Sequence, residues 1–232
     1  MDGYDRYAVY VAPDADSPLG RFGNAWLGFE PRSGVDLPRP ALVGLTESDI
    51  RRATVAPARY GFHATLKPPF ALAEGADVAA LDRAVAGLAA ALAPVDIPAL
   101  RLARIDRFLA LVPARPVAAL DALAAECVAA LDRFRAPEGP DRVRRRRAGL
   151  TDRQAALLAE WGYPYVLDEF RFHLTLSGPS AAAERASVAA ALDKVLGDIL
   201  AAPLPVRDLA LFGDPGGGKR FRLVKRYPLT AG

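Results

Sequence analysis

The alternation of hydrophobic and polar residues predicts short β-strands interleaved with amphipathic helices. Two segments alternate with the period of two that is typical of strands, RYGFHATLK at 59–67 and FRFHLTLS at 170–177. Apolar residues then recur at helical spacing, over 76–93 and over 180–201. The other predicted strands are 6–12, 98–104, 107–113, 205–212 and 219–226, and the other predicted helices are 17–28, 116–135 and 151–160. Residues 30–57, rich in proline, glycine and charge, predict a surface excursion with a helical turn near 46–52.

The order of these elements repeats along the chain. Each half contains an aromatic-His-x-Thr-Leu strand, a proline, an amphipathic helix and two strands, and the halves begin near residues 60 and 170. This order predicts an α+β fold in which two antiparallel sheets, flanked by helices, are related by a pseudo-two-fold axis around a central cleft. We expect a single bilobal domain over 1–232. The first lobe's repeat covers about 59–135, a connecting segment about 136–168, and the second lobe's repeat about 169–228.

Composition and charge narrow the class of protein. The hydrophobic fraction is 52% and the formal charge is only +3, which is mild for a protein that binds long nucleic acid. One cysteine and two histidines exclude a disulfide framework, a cysteine-based zinc site and a histidine-rich metal site within one chain. The sequence has the features of neither a signal peptide nor a membrane span, so we expect a cytoplasmic protein that has no metal and no cofactor.

The two alternating strands carry the candidate chemistry. Strand periodicity places His63 and Thr65 on one face, and it places His173 and Thr175 together in the second copy. Imidazole titrates near neutrality, so one histidine can accept a proton while the other donates one. Threonine hydroxyls can hold phosphate oxygens. The pairing predicts general acid–base catalysis on a phosphodiester.

The same periodicity suggests further phosphate ligands. Arg59 and Lys67 share the His63 face if that strand is regular, and Arg171 shares the His173 face. These cations are expected to bind substrate phosphate. Tyr7 and Tyr10 lie on the first predicted strand, and the sequence leaves open which of them reaches the cleft.

The paired motifs resemble the 2H phosphoesterase superfamily, which includes bacterial RNA 2′,3′-cyclic phosphodiesterases and plant cyclic phosphodiesterases. RYAVYVAP, SPLGRFGNAWLG, RYGFHATLKPPF, GLTDRQAALLAEWGYPYV and EFRFHLTLSGP are similar to its branch from bacterial phosphonate-utilisation operons. The resemblance spans essentially the whole chain. It implies a bilobal fold, catalytic roles for His63 and His173, and phosphate binding by Thr65 and Thr175.

The expected function is therefore that of a metal-independent phosphoesterase, a hydrolase that opens or hydrolyses a small, cyclic phosphodiester in phosphonate metabolism. The expected partner is a small phosphodiester or a nucleotide-like substrate, and no membrane. One alternative is an RNA-end 2′,3′-cyclic phosphodiesterase or RNA ligase. A second alternative is a non-catalytic module that binds nucleotides or RNA ends. The sequence leaves open the natural substrate, which histidine is the acid, and the oligomeric state.

Three other features have ordinary structural explanations. Cys127 lies in a helical apolar pattern and is expected in the core. The arginine run 144–147 is interpreted as a solvated face rather than a lid or an RNA-contacting patch. Gly213-x4-Gly218-Lys219 resembles the start of a phosphate-binding P-loop, but Arg220 follows where Ser or Thr is needed. We predict a hairpin turn there.

Overall fold

Antiparallel sheets and α-helices alternate along the chain in a computed structural model, which describes residues 3–139, 144 and 146–232. The helices are α1 Pro18–Leu27, α2 Glu47–Ala58, α3 Val78–Ala90, α4 Ala118–Leu131, α5 Asp152–Trp161 and α6 Ala182–Ala201. The strands are β1 Arg6–Val11, β2 Phe29–Glu30, β3 Val35–Asp36, β4 Ala64–Phe70, β5 Val95–Ile97, β6 Leu100–Ile105, β7 Phe108–Pro113, β8 Leu174–Thr175, β9 Leu204–Val206, β10 Asp208–Asp214 and β11 Arg222–Pro228. Short 3₁₀ turns cover Asp132–Phe134 and Leu167–Glu169.

Two antiparallel sheets contain the strands that follow the histidines. The larger has the order β11-β10-β1-β4, and the smaller has the order β6-β7-β8. The prediction of an α+β fold with antiparallel sheets and flanking helices is confirmed. The short strands β5 and β9, which follow the motif helix in each half, pair with each other. The residue limits of the two lobes stay a prediction.

The hydrophobic core lies between the sheets and their helices. Helix α3 packs on β10 and β11, α4 packs on β4, and α6 packs on β6 and β7. Strand β1 alternates between two environments because successive side chains point to opposite faces. Tyr7 and Val9 enter the main core, whereas Ala8 and Tyr10 lie on the opposite face with Phe212. Cys127 is buried in the main core, as predicted.

The predicted excursion over 30–57 contains more regular structure than its composition indicates. Strands β2 and β3 form a small hairpin within it, and α2 has twelve residues instead of one turn. A capping box begins the helix: Thr46 accepts from the backbone of Asp49, and the Asp49 side chain accepts from the backbone of Thr46. Pro57 lies in the last turn, and the helix ends one residue later. The prediction of a single helical turn was therefore wrong.

The first motif strand also differs from its prediction. β4 begins at Ala64, and it continues through Pro68 and Pro69, which were expected to end it. β4 pairs only with β1 in the four-stranded sheet, and an edge strand tolerates proline because its outer N–H groups have no ladder partner. The second motif strand is shorter than predicted, since β8 covers only Leu174–Thr175.

The glycine-rich segment near the C-terminal end is a hairpin turn, as predicted. It connects β10 to β11, so a strand and not a helix follows Lys219. Gly216, Gly217 and Gly218 all have positive φ, a conformation that glycine adopts at little cost. None of the helices in the described part of the chain is long and apolar enough to cross a membrane.

Candidate active site

A cleft of about 470 Å³ opens where the two motif segments approach each other. It contains the side chains of both motif threonines and of His63, together with residues of β1, α2 and the segment that connects the halves. Its described lining is Arg6, Tyr10, Ala56, Pro57, Tyr60, Gly61, His63, Thr65, Pro68, Pro69, Phe108, Glu138, Arg146, Gly162, Tyr163, Thr175, Ser177, Gly178 and Pro179. The volume is within the usual range of small-molecule sites.

Burial alternates along both motifs as their sequence pattern predicts. Phe62, Ala64 and Leu66 are buried, whereas His63 and Thr65 are only partly buried. The second copy shows the same alternation. Phe172, Leu174 and Leu176 are buried, and His173 and Thr175 are partly buried. Each histidine therefore shares a face with its threonine, as strand geometry requires.

The two imidazoles are held in the same way by their own backbones. Nδ1 of His63 lies 2.9 Å from the carbonyl oxygen of Gly61, and Nδ1 of His173 lies 2.7 Å from that of Arg171. A carbonyl oxygen only accepts hydrogen bonds, so Nδ1 carries the hydrogen in both rings. Nε2 of each neutral ring is then a proton acceptor. Nε2 of His63 lies 3.2 Å from Oγ1 of Thr65, whose hydroxyl can donate to it.

The two histidines are close enough for the charge of one to affect the other. Burial is the main cause that lowers the pKa of His63 to about 4, and the charge of His173 acts in the same direction, against the opposing hydrogen bond to Gly61. Burial also lowers the pKa of His173 below its usual value. His173 lies beside the lining, with its ring centroid 5.8 Å from that of Phe108, which is in the lining. Both rings are therefore neutral at pH 7 in the free protein.

Tyr10 is the first-strand tyrosine that reaches the cleft. Its ring stacks on the His63 imidazole with centroids 3.7 Å apart and planes 22° apart. Burial, aided by neighbouring Tyr60 and Tyr163, raises the pKa of Tyr10 well above its usual value, so the phenol stays neutral. Tyr7 points into the main core instead. The stacking limits the rotation of the His63 ring.

Arg6 is a cleft residue that the sequence analysis did not single out. Its Nε and Nη2 atoms donate to Oδ2 of the buried Asp214, at 3.1 and 2.5 Å. Arg59 also donates to this oxygen, at 3.4 Å. The strand period that places Tyr10 on the cleft face also places Arg6 there, so alternation along β1 could have identified it. Only the fold shows that β1 lies beside β4.

A second cleft arginine comes from the connecting segment. Nη1 of Arg146 donates to Oε1 of Glu138 at 2.6 Å and to the carbonyl oxygen of Gly162 at 3.0 Å. Its guanidinium lies over the ring of Tyr163 at 5.8 Å. The arginine run was interpreted as a solvated face, and for Arg146 that interpretation was wrong. Arg144 and Arg147 are exposed, and Arg145 lies outside the described residues.

Lys67 is not among the described residues that line the cleft, so the structure contradicts its predicted role as a ligand of the phosphate on which the histidines act. The pairing of β1 with β4 is irregular between Tyr10, which faces Thr65, and Val9, which faces Lys67. This irregularity breaks the period of two and turns Lys67 inward. Its ammonium donates to the carbonyl oxygen of Val128 at 3.0 Å and to Asp132 at 3.1 Å.

Arg59 and Arg171 were also placed wrongly, because neither residue belongs to a strand. Arg59 is the C-cap of α2, and its guanidinium pairs with Asp214 and lies over the ring of Tyr60. Arg171 is exposed and contributes its carbonyl oxygen to His173. Neither side chain is among the described residues that line the cleft. Within those residues, no three His, Cys, Asp or Glu side chains converge as a metal site requires.

Solved structures with an overall likeness to the chain include phosphoesterases. One is a crystal structure of a phosphoesterase, with a TM-score of 0.43 and 13% identity, covering 98% of this chain and 99% of that one. Another is E. coli LigT complexed with NADP+, with a TM-score of 0.46 and 13% identity, covering 99% and 100%. LigT complexed with 3′-AMP scores 0.43 at 14% identity, covering 97% and 98%.

Curated relatives are similar at the level of sequence. A protein named ribose 1,5-bisphosphate phosphokinase PhnN from Janthinobacterium sp. (strain Marseille) is 35% identical over 230 residues, which are 97% of this chain and 51% of that protein. A protein of the same name from Laribacter hongkongensis (strain HLHK9) is 38% identical over 224 residues, 95% of this chain and 51% of that protein. The chain thus spans about half the length of these relatives. Residues 65–222 match the family described as protein of unknown function (DUF1045), so the chain belongs to the DUF1045 family.

Proposed function

We propose that the chain is a phosphoesterase of the two-histidine kind, which hydrolyses a small phosphodiester by general acid–base catalysis. The observation that carries the proposal is the matched state of the two imidazoles. Each donates through Nδ1 to the carbonyl oxygen two residues earlier, and each shares a strand face with a threonine. With Nδ1 engaged in this way, Nε2 is the proton-accepting atom that each imidazole would present to a phosphodiester.

The two histidines divide the acid and base roles according to their burial. His63 resists protonation more strongly, since burial and the charge of His173 both lower its pKa. His63 is therefore the general base, and it removes a proton from the water that attacks phosphorus. His173 takes up a proton when the anionic phosphodiester binds, because a nearby negative charge favours the imidazolium form. It then donates this proton from Nε2 to the leaving oxygen as the phosphorus–oxygen bond breaks, and a phosphomonoester is produced.

Cleft donors stabilise the negative charge on the non-bridging oxygens. Thr65 and Thr175 provide hydroxyls, and Arg6 provides a guanidinium that Asp214 holds in place. Preorganised donors in a partly dehydrated cleft stabilise developing charge better than water does. In this mechanism the side chains perform the proton transfer and the charge stabilisation, and turnover should persist in excess chelator.

A small sugar phosphate or nucleotide is the substrate class that fits a cleft of about 470 Å³. The curated relatives are named for the phosphorylation of ribose 1,5-bisphosphate, which favours a pentose phosphate diester in phosphonate metabolism. A cyclic diester suits a metal-free acid–base pair because ring strain assists the departure of the leaving oxygen.

The test combines a substrate screen with variants of the motif. Purified protein is assayed with chelator on ribose cyclic phosphates, nucleoside 2′,3′-cyclic phosphates and an oligonucleotide with a 2′,3′-cyclic phosphate end. His63→Ala and His173→Ala should each lower kcat by about 10²–10⁴-fold while circular dichroism shows an unchanged fold. Thr65→Val, which replaces the hydroxyl by a methyl group, should lower kcat/KM, whereas Thr65→Ser, which keeps the hydroxyl, should not.

The outcomes separate the alternatives. A strong preference for the oligonucleotide would identify an RNA-end enzyme instead. Tight binding of substrate and product without turnover would identify a binding module. Wild-type kcat in either histidine variant would refute the acid–base assignment.

A further inference from the structure

A smaller cavity of about 170 Å³ adjoins the cleft. Five described residues line both spaces, and they are Arg6, Pro68, Pro69, Glu138 and Gly162. The side cavity is also lined by Lys67, Arg135 and Trp161. At about 30 Å³ for each water in the liquid, its volume corresponds to about six waters, which is enough for a phosphate group. The cleft and the side cavity are therefore neighbours, and Arg6 lies in the wall that they share.

Positive charge around the side cavity exceeds negative charge among the described residues. Asp214 is shared by Arg6 and Arg59, and Asp132 is shared by Lys67 and Arg135. Arg146 pairs with Glu138. Of the described residues that line the side cavity itself, Arg6, Lys67 and Arg135 are positively charged, and Glu138 is negatively charged. A phosphomonoester carries close to two negative charges at neutral pH.

Three donors at the side cavity have no role in the contacts described so far. Among the described residues, the side-chain hydrogen bonds of Arg6 and Arg135 are donated by Nε and Nη2, and none is donated by Nη1. Nη1 of Arg135 lies against the shared wall, since a Cβ added to Gly162 would be 3.0 Å from it. Nε1 of Trp161 is buried and has no hydrogen-bond partner within the described part of the chain. A buried donor without a partner is costly unless a ligand or water satisfies it.

We propose that the side cavity is a second anion site, which holds a phosphate group that the substrate carries away from the diester on which the histidines act. The donors are Arg6, Arg135 and the indole N–H of Trp161. That this phosphate belongs to the substrate rests on the proposed function. The binding of phosphate in the side cavity does not depend on that function. The substrate class is then a cyclic or linear phosphodiester of a sugar that also bears a phosphomonoester.

Binding of inorganic phosphate tests the site without turnover. The chain has two tryptophans, and the other, Trp26, is fully buried with its Nε1 bonded to the carbonyl oxygen of Leu176. Trp161 fluorescence should therefore change in a saturable way as phosphate is added. Arg135→Gln should weaken phosphate binding by about tenfold to a hundredfold, as expected for a hydrogen bond to a charged group. Its matched control, Arg133→Gln, changes an exposed arginine in the same turn and should leave binding unchanged.

Two further variants decide the location of the bound phosphate. His63→Ala should retain the fluorescence response, because the side cavity is separate from the imidazoles. Trp161→Phe replaces the indole by a smaller aromatic ring without an N–H, and calorimetry should show weaker phosphate binding even if Arg135→Gln does not fold. No saturable response in the wild type, or its loss in His63→Ala, would overturn the second site.

Kinetics connects the site to the substrate. For a nucleoside 2′,3′-cyclic phosphate with and without a 5′-phosphate, the wild type should favour the doubly phosphorylated compound. Trp161→Phe should raise KM only for that compound and leave kcat unchanged. If Trp161 responds to phosphate but no diester is turned over, the proposed function fails and the anion site remains. If diesters are turned over without any benefit from the second phosphate, the assignment to the substrate is wrong.

Discussion

The low pKa of His63 makes the stability of the protein depend on pH in a specific way. An unfolded histidine has a pKa of about 6.5, whereas burial lowers the pKa of His63 to about 4 in the folded chain. The unfolded state therefore binds the proton more readily. The stability that comes from the neutral ring is fully present above pH 6.5 and is lost as the pH falls towards 4.

The size of the effect follows from the two pKa values. Between pH 7 and pH 5, linkage with values of about 6.5 and 4 gives a loss of about 2 kcal/mol in the free energy of unfolding. Ion-paired carboxylates such as Asp132 also make the protein less stable in acid, because their pKa is lower in the folded state than in the unfolded state. His63→Gln removes the imidazole alone, so the difference between the wild type and this variant isolates the histidine.

Two measurements check this prediction. Urea unfolding should show that, between pH 7 and pH 5, the wild type loses about 2 kcal/mol more of its free energy of unfolding than His63→Gln does. NMR should show two imidazole titrations, since the chain has two histidines, and both should lie below pH 6.5. A His63 titration at or above pH 6.5 would refute the reasoning, and the assignment of His63 as the base would fail with it.

Three other substitutions test separate parts of the structure. For a diester without a second phosphate, Lys67→Met should leave kcat/KM within about twofold, because the lysine does not line the cleft and is bonded to Asp132 in the interior. A large loss of activity on that substrate would restore its role as a ligand of the reacting phosphate. Tyr10→Phe should keep near-normal activity, because the ring that stacks on His63 remains and only the hydroxyl is lost. Tyr10→Ala removes the buried ring, and urea unfolding should show a loss of about 3–5 kcal/mol in stability. Gly23→Ala should destabilise the protein by about 1–3 kcal/mol in thermal unfolding, since its Cβ would overlap the ring of Phe62, and an unchanged Tm would contradict that packing.

Local sequence patterns were sufficient to predict which side chains of each motif lie on the same face. His63 and Thr65 are two residues apart, as are His173 and Thr175, and a period of two places each pair on one face whatever the rest of the chain does. The helices that follow were also predicted within a few residues, because their apolar spacing repeats over three or more turns. Extrapolation of the same period to Arg59, Lys67 and Arg171 failed, since it assumed strands longer and more regular than β4 and β8.

What the sequence determined by itself is the set of short-range relations: the α+β order of elements, the repeated motif, and the shared face of each histidine and its threonine. Tertiary structure decided which distant groups meet them. Arg6 and Tyr10 join the cleft because β1 pairs with β4, and Arg146 joins it from the connecting segment. Lys67 turns inward because of an irregular register with a strand more than fifty residues earlier. Side-chain alternation is a property of the local backbone, whereas strand register and convergence depend on the packing of the whole chain.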